Sequence, residues 1–361
     1  MDTVILARSG DPLEGAAFVT PCYRIPALTV TATGRVILAW EVRPDWRDLP
    51  GEFDLAYRSS DDHGRTWAPV QHLRHHEEGR GFGDASLISD PATGRVLCWY
   101  VGSTGRSYFT ADAAVGLELW LATSEDDGKN WTHRQVTGLR PEWAGGMFAA
   151  SGNGIALRGG PPAGTLLQTF VLRDPHRGTD HAAVAASADG GLTWQLGTPV
   201  GPGCDESKVV EQADGNVLLH ARATPRRRWA TSVDAGGSFT PPTPDPALVD
   251  PGCNGGLTNW RGRLVCSTLN DERRRRDLVL RIRDDAGSWS RPVEIDRGAA
   301  AYSVLAPLAD GTLGLAYEYG DYEGIRFCRI EPAEVGLDGG QVTLAPVRGA
   351  PGVARDPIAA T

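Results

Sequence analysis

The sequence predicts an all-β chain folded as a β-propeller. A short turn motif recurs along the chain, strand-like apolar runs flank its copies, and helical periodicity is scarce. The motif reads SDDHGRTW from Ser60, SEDDGKNW from Ser124 and SADGGLTW from Ser187. A weaker copy, SVDAGGSF, begins at Ser232, and a shortened one, RDDAGSW, at Arg283. In the shared form S-x-D-x-G-x-T-W, Asp bonds to nearby backbone amides and Gly accepts positive φ. The aromatic then plugs the start of the next strand, so each copy is a self-capped hairpin. FDLAYR, LELWLA and HAAVAA read as the strands that lead into the first three copies. Copies start 64, 63, 45 and 51 residues apart, which suits one four-stranded sheet per interval, arranged about a central axis.

Composition limits what such a propeller can do. A chain of 361 residues can bury a large core, and a formal net charge of -9 argues against nucleic acid, whose binding needs a broad basic surface. No apolar run approaches the roughly 18 to 20 residues that span a bilayer, so no membrane partner is expected. The N-terminal MDTVILARSG lacks the basic region and apolar segment of a secretory signal. Cys22, Cys98, Cys204, Cys253, Cys266 and Cys328 are scattered and read as buried reduced thiols on strands. Together these features lead us to expect a cytoplasmic protein. PAEVGLDGG, from Pro332, begins a Gly/Pro-rich tail, which puts the propeller at 1–333 and the tail at 334–361.

CYRIPALTVT, from Cys22, places an arginine at a strand start where Pro26 fixes the backbone. The repeated motifs resemble the Asp-boxes of sialidases, and R-I-P followed by Asp-boxes resembles bacterial exo-sialidases in particular. The likeness runs from about residue 20 to about residue 330. It continues through RPDWRDLPG (43–51), GFGDASL (81–87), FAASGNGIAL (148–157), DESKVVEQADGNVLLHAR (205–222) and AYSVLAPLADGTLGLAYEYG (301–320). The resemblance implies a six-bladed β-propeller with structural Asp-boxes on its rim and a glycosidase site at its axis.

The chemistry implied is specific. A sialic acid carries a carboxylate on its anomeric carbon, and the planar Arg fork pairs bidentately with such a group. The family's three arginines match Arg24, Arg222 and one of Arg273 to Arg276 in DERRRRDLVL. Counting eight residues back from Arg283 selects Arg275, with Arg274 and Arg276 expected to point away from it. A carboxylate nucleophile would be repelled by the substrate's own charge, and sialidases use tyrosine instead. Tyr302 matches that nucleophile and Glu206 the base that must activate its phenol. Asp48, 24 residues after Arg24, matches the acid, with Asp45 and Asp54 as neighbouring alternatives. Beside Pro50 and Gly51 it could close over substrate and rise in pKa; the competing reading is a loop carboxylate paired with Arg43 or Arg47.

Glu318 matches a residue that orients Arg24, and Arg43 a basic residue of the pocket floor. Asp84 matches a residue near the sugar 4-hydroxyl, although Ala85 follows it where the family has Pro. The resemblance thus implies a retaining exo-α-sialidase acting on a sialic-acid-like glycoside without a cofactor. The same groups would serve a Kdn or Kdo glycoside, and a non-hydrolytic propeller that binds acidic glycans is the reading from another class. No metal is expected: the adjacent histidines of HHEEGRGFGD, from His75, should face opposite sides of a strand.

Overall fold

The strands of this chain are apolar on both faces because each sheet is packed between two others. In Val36–Arg43 every residue is buried. Val36, Leu38, Trp40 and Val42 pack with Val304, Leu308, Ala316 and Phe327, while Ile37 and Ala39 turn the other way onto Phe82, Leu87, Val96 and Tyr100. The period-two alternation of a strand here feeds two cores at once. The computed structural model describes residues 1–337 apart from 17, 113, 160–162, 285 and 286.

The result is an all-β propeller of sheets that meander antiparallel from the axis outwards. Cys22–Val30, Val36–Arg43, Asp54–Ser60 and Gln71–Arg74 make the first sheet. Gly81–Ser89, Val96–Ser103, Glu118–Ser124 and Thr132–Val136 make the second, with Gly152–Asn153 added parallel to Gly81–Ser89. The third holds Met147–Ala149, Leu166–Asp174, Thr179–Ser187 and Gln195–Leu196, with Ile155–Ala156 beside Leu166–Asp174. The fourth holds Ser207–Glu211, Val217–Ala221, Arg226–Ser232 and Thr243–Val249.

Hydrogen bonding among the described residues gives five sheets where the family likeness implies six blades. The cause is one 15-residue strand, Val293–Pro307. Its first part pairs with Arg276–Ile282 and its second with Leu313–Tyr319, which joins Gly256–Trp260 and Arg263–Leu269 to Gly324–Ile330 in a single seven-stranded sheet. Asp2–Arg8 forms the outer edge of that sheet, antiparallel to Gly324–Ile330, so the first residues of the chain complete its last strands.

Each full Asp-box lies between the third and fourth strands of its sheet. In the first, Ser60 Oγ donates to Asp62 Oδ1 at 2.8 Å and accepts from the Gly64 amide at 2.8 Å, and Asp62 takes the Thr66 amide and hydroxyl. The boxes at Ser124, Ser187 and Ser232 repeat this bonding. His63, Asp127 and Ala235 precede the box glycine with positive φ. In the shortened copy Asp284 accepts from Ser288 N; its residues 285 and 286 lie outside those described.

All six cysteines are free, and all but the half-buried Cys22 are buried; Cys204 and Cys253 precede strands rather than lying on them, contrary to expectation. Pro332–Val335 forms a 3-10 turn, and Val335 and Leu337 pack against the last core cluster. The rest of the expected tail lies outside the described residues. No helix among the described residues is long and apolar enough to cross a membrane.

Candidate active site

Three β-bulges on innermost strands create the site. In the first, the register passes from Arg24–Glu41 to Ala27–Ala39, so Ile25 and Pro26 oppose a single residue and Ile25 takes φ 58°. Pro26 has no amide to lose at such a point, and the bulge re-aims its neighbours. The Ile25 amide and the Arg24 Nε both donate to Glu318 Oε1, at 2.9 and 3.0 Å. A second bulge puts Asp84 at φ 56°, with its amide donating to Glu41 Oε1 at 2.6 Å. The third lies between Ala300 and Ser303, where the Tyr302 amide donates to Glu318 Oε2 at 3.1 Å. Glu41 and Glu318, each on the strand paired to a bulged one in its own sheet, thus tie the bulges together.

Around Tyr302 the three expected arginines converge. Arg222 Nη1 donates to the Tyr302 hydroxyl at 2.9 Å and to Glu206 Oε2 at 2.6 Å. The Arg24 and Arg275 guanidiniums lie 6.0 and 5.4 Å from the Tyr302 ring centre. Arg275 is held by the Gly252 carbonyl at 2.8 Å and by the Tyr322 hydroxyl at 3.2 Å. Of its neighbours, Arg273 and Arg274 are exposed, and Arg276 turns to Asp277 at 2.9 Å. Of the run, Arg275 is the one beside Tyr302, and it precedes the strand, which begins at Arg276.

Glu206 is buried and additionally accepts from Asn254 Nδ2 at 3.3 Å and Ser151 Oγ at 3.5 Å. Burial, then the Glu206 charge, pushes the Tyr302 phenol well above its ordinary value against the pull of Arg222 and Arg275. The phenol is neutral at rest. Asp84, bonded by Ser151 Oγ at 2.9 Å, is likewise pushed well up by burial and by the Glu41 and Glu206 charges.

Asp48 stands on the loop 44–53 with its side chain 79% exposed. Its Oδ1 accepts from Arg43 Nη1 at 2.8 Å and Arg24 Nη1 at 3.4 Å. Partial burial raises its pKa, but the charges of Arg43 and Arg24 outweigh this and leave it below its ordinary value. The pairing with Arg43 is the one foreseen as the alternative, and the upward shift was expected only with the loop closed over substrate. Arg43 also binds Glu41 beneath the loop. Of the neighbouring acids, Asp45 turns to Arg47, and Asp54, at the start of the next strand, is buried against His76 at 2.7 Å.

Several groups here escaped sequence reasoning. Lys208 is fully buried and donates to the Ser151 carbonyl at 2.6 Å and Asn254 Oδ1 at 3.0 Å; burial draws its pKa down to about 7. Tyr322 sits between two of the arginines, its ring centre 4.1 Å from the Arg24 guanidinium. Asp205 lies 3.3 Å from Arg222 Nε. Only Glu41 left a readable trace: AWEVR and AYEYG repeat one pattern on strands paired to bulged ones, and Glu318 lies in the latter.

Residues 57–315 match the family model described as BNR repeat-like domain. The chain is 35% identical over 366 residues to "Sialidase" of Micromonospora viridifaciens, covering 91% of this chain and 56% of that protein. It is 28% identical over 347 residues to "Sialidase-2" of Mus musculus, covering 84% and 91%. Among solved structures, the Hadza microbial sialidase Hz136 superposes with a TM-score of 0.77 at 25% identity, over 86% of this chain and 66% of that one. The intramolecular trans-sialidase from Ruminococcus gnavus reaches 0.80 at 16% identity, a likeness of fold, over 93% and 100%. The chain therefore spans just over half the length of the Micromonospora protein and about two thirds of Hz136.

Proposed function

The chain belongs to the BNR repeat-like domain family, and on that premise we propose that it is a retaining exo-α-sialidase releasing terminal sialic acid from a glycoside. One observation carries the reading: Arg24, Arg222 and Arg275 reach one tyrosine from separate parts of the ring, and Arg222 Nη1 binds both that phenol and Glu206. The sialidase names of the relatives point the same way. We count six blades, taking Val293–Pro307 as the last strand of the fifth and the first of the sixth.

In this reading the substrate carboxylate enters between the three guanidiniums, which fixes the anomeric carbon over Tyr302. Tyr302 Oη attacks that carbon as its proton passes to Glu206, while Asp48 protonates the departing glycosidic oxygen. One C–O bond breaks and one forms. Water then attacks the same carbon, Asp48 accepts its proton, and Glu206 returns a proton to the leaving phenolate. A neutral phenol suits this better than a third carboxylate, since Glu206 and the substrate carboxylate already crowd the centre with negative charge.

The test is fluorophore release from aryl α-glycosides of N-acetylneuraminic acid, Kdn and Kdo, with proton NMR of the first product anomer. Turnover of the acetylated sugar with retention, abolished in Tyr302→Phe, is the expected result. Turnover of Kdn or Kdo alone would move the substrate class, and binding without turnover would favour the lectin.

A further inference from the structure

At one end of the two outer strands of the first sheet, a ring nitrogen each of His72 and His75 and a carboxylate oxygen of Asp54 lie within 4.8 Å of one another. The strand Gln71–Arg74 ends before His75, so the expected alternation of His75 and His76 does not apply, and both rings turn to Asp54. We propose that Asp54, His72 and His75 form a binding site for one divalent transition-metal ion of the zinc class.

Two unsatisfied atoms support this beyond the clustering. Asp54 is fully buried; its Oδ1 takes the His76 amide at 2.6 Å and His76 Nδ1 at 2.7 Å, whereas Oδ2 is buried without a hydrogen-bond partner, 3.7 Å from His75 Nδ1. His72 Nε2 lies 2.8 Å from the Glu14 carbonyl, which can only accept. The proton therefore sits on Nε2, and Nδ1 keeps its lone pair, buried and also without a partner. A carboxylate oxygen and an imidazole lone pair left dry in this way are costly unless a cation meets them. Imidazole with carboxylate is a donor set that suits zinc, cobalt and nickel.

The surrounding bonds are those that metal ligands require. A ligating histidine usually gives its other N–H to a carbonyl, as His72 does to Glu14, and a ligating carboxylate is itself held, as Asp54 is by His76. Bonds of about 2.0 to 2.1 Å put tetrahedral ligands roughly 3.3 Å apart. The exposed His75, whose ring stacks on His72 with centres 4.1 Å apart, closes that gap by a side-chain rotation, and water completes the shell. Asp54 ends the loop that carries Asp48, and Glu14 lies in the segment before the first blade. The ion would fasten one to the other.

The full-length protein, stripped with a chelator, is titrated with Co²⁺ and followed by visible absorption, then with Zn²⁺ by calorimetry and thermal melting. One equivalent of Co²⁺ should bind with a four-coordinate spectrum and be displaced by Zn²⁺. Zn²⁺ should raise the melting temperature by a few degrees through mass action. Affinity should fall at least about tenfold in both His72→Ala and His75→Ala. Because His75 is exposed, its variant remains folded even if the His72 variant does not. Binding that survives His75→Ala, or arrives with a thiolate charge-transfer band, would overturn the site. So would a melting temperature indifferent to Zn²⁺ but lowered by His75→Ala, which would make His75 only a charge partner of Asp54.

Discussion

At the scale of residues, the site contrasts groups that sequence can name with groups only a fold can assemble. Arg24, Glu206, Tyr302 and Glu318 could be placed together because each lies in a segment that resembles the family's, and Arg275 because a degenerate box eight residues downstream fixed the count. Lys208, Asn254, Ser151 and Tyr322 were not: Lys208 and Ser151 lie in segments that carry the resemblance, yet the bonds that give all four their places reach across large sequence separations. Lys208→Met should cost roughly 1 to 3 kcal/mol in urea unfolding, because it leaves Asn254 Oδ1 buried without its donor and the Ser151 carbonyl with Asn254 Nδ2 alone. Asp48→Asn should lower kcat by about 10² to 10⁴-fold on poor leaving groups, and less on activated aryl glycosides. The low resting pKa of Asp48 gives a further check. Sugar burial, with substrate neutralising Arg24, raises that pKa, so the complex holds more protons than the free protein between the two values. Binding of an unsaturated sialic-acid analogue should then take up a proton and tighten as pH falls through that window. Calorimetry in two buffers of different ionisation enthalpy measures the uptake, which Asp48→Asn should abolish.

At the scale of elements, the Asp-box is more than a hairpin cap. The glycine of the Ser60 box abuts Phe327 of the last sheet, that of the Ser124 box abuts Ile37 of the first, and Gly191 abuts Leu97 of the second. Trp67 packs edge-on to Phe327 and Trp194 to Trp99, with ring centres 5.0 and 5.2 Å apart. Each box thereby latches its own sheet to the preceding one. The repeat revealed the boxes but not this contact, because spacing alone does not show which neighbour a turn touches. The bulges were equally hidden: Ile25, Asp84 and Tyr302 look like ordinary strand positions until their partners are aligned. Gly64→Ala would drive a methyl into the Phe327 ring, whereas Gly138→Ala, at a similar φ of 80° in open space, meets only backbone strain. The first should destabilise the protein by about 1 to 3 kcal/mol more than the second, read from urea midpoints. Hydrogen bonds within their boxes lower Asp62 and Asp234 to about 2 from 3.8. This stabilisation is complete above about pH 4 and is lost as pH falls toward about 2, so urea midpoints should drop across that interval. Asp62→Asn should blunt the drop.

At the scale of the whole molecule, the propeller class was legible because one motif recurs, while the expected six blades appear among the described residues as five hydrogen-bonded sheets, because the single strand Val293–Pro307 pairs on both sides. The ring is closed by pairing rather than by covalent linkage. Removing Asp2–Arg8 would strip the partner from Gly324–Ile330 and expose a long apolar edge. The truncated protein should melt well below the parent and associate, as light scattering would report. The same closure brings the Met1 ammonium against Glu334, so the beginning of the chain and the end of its described part are neighbours. Propellers closed in this way can be cut elsewhere and sewn here: a short linker from residue 337 to residue 1, with new termini at the open turn around Gly138, should yield a circular permutant that keeps the arginines around Tyr302 in place.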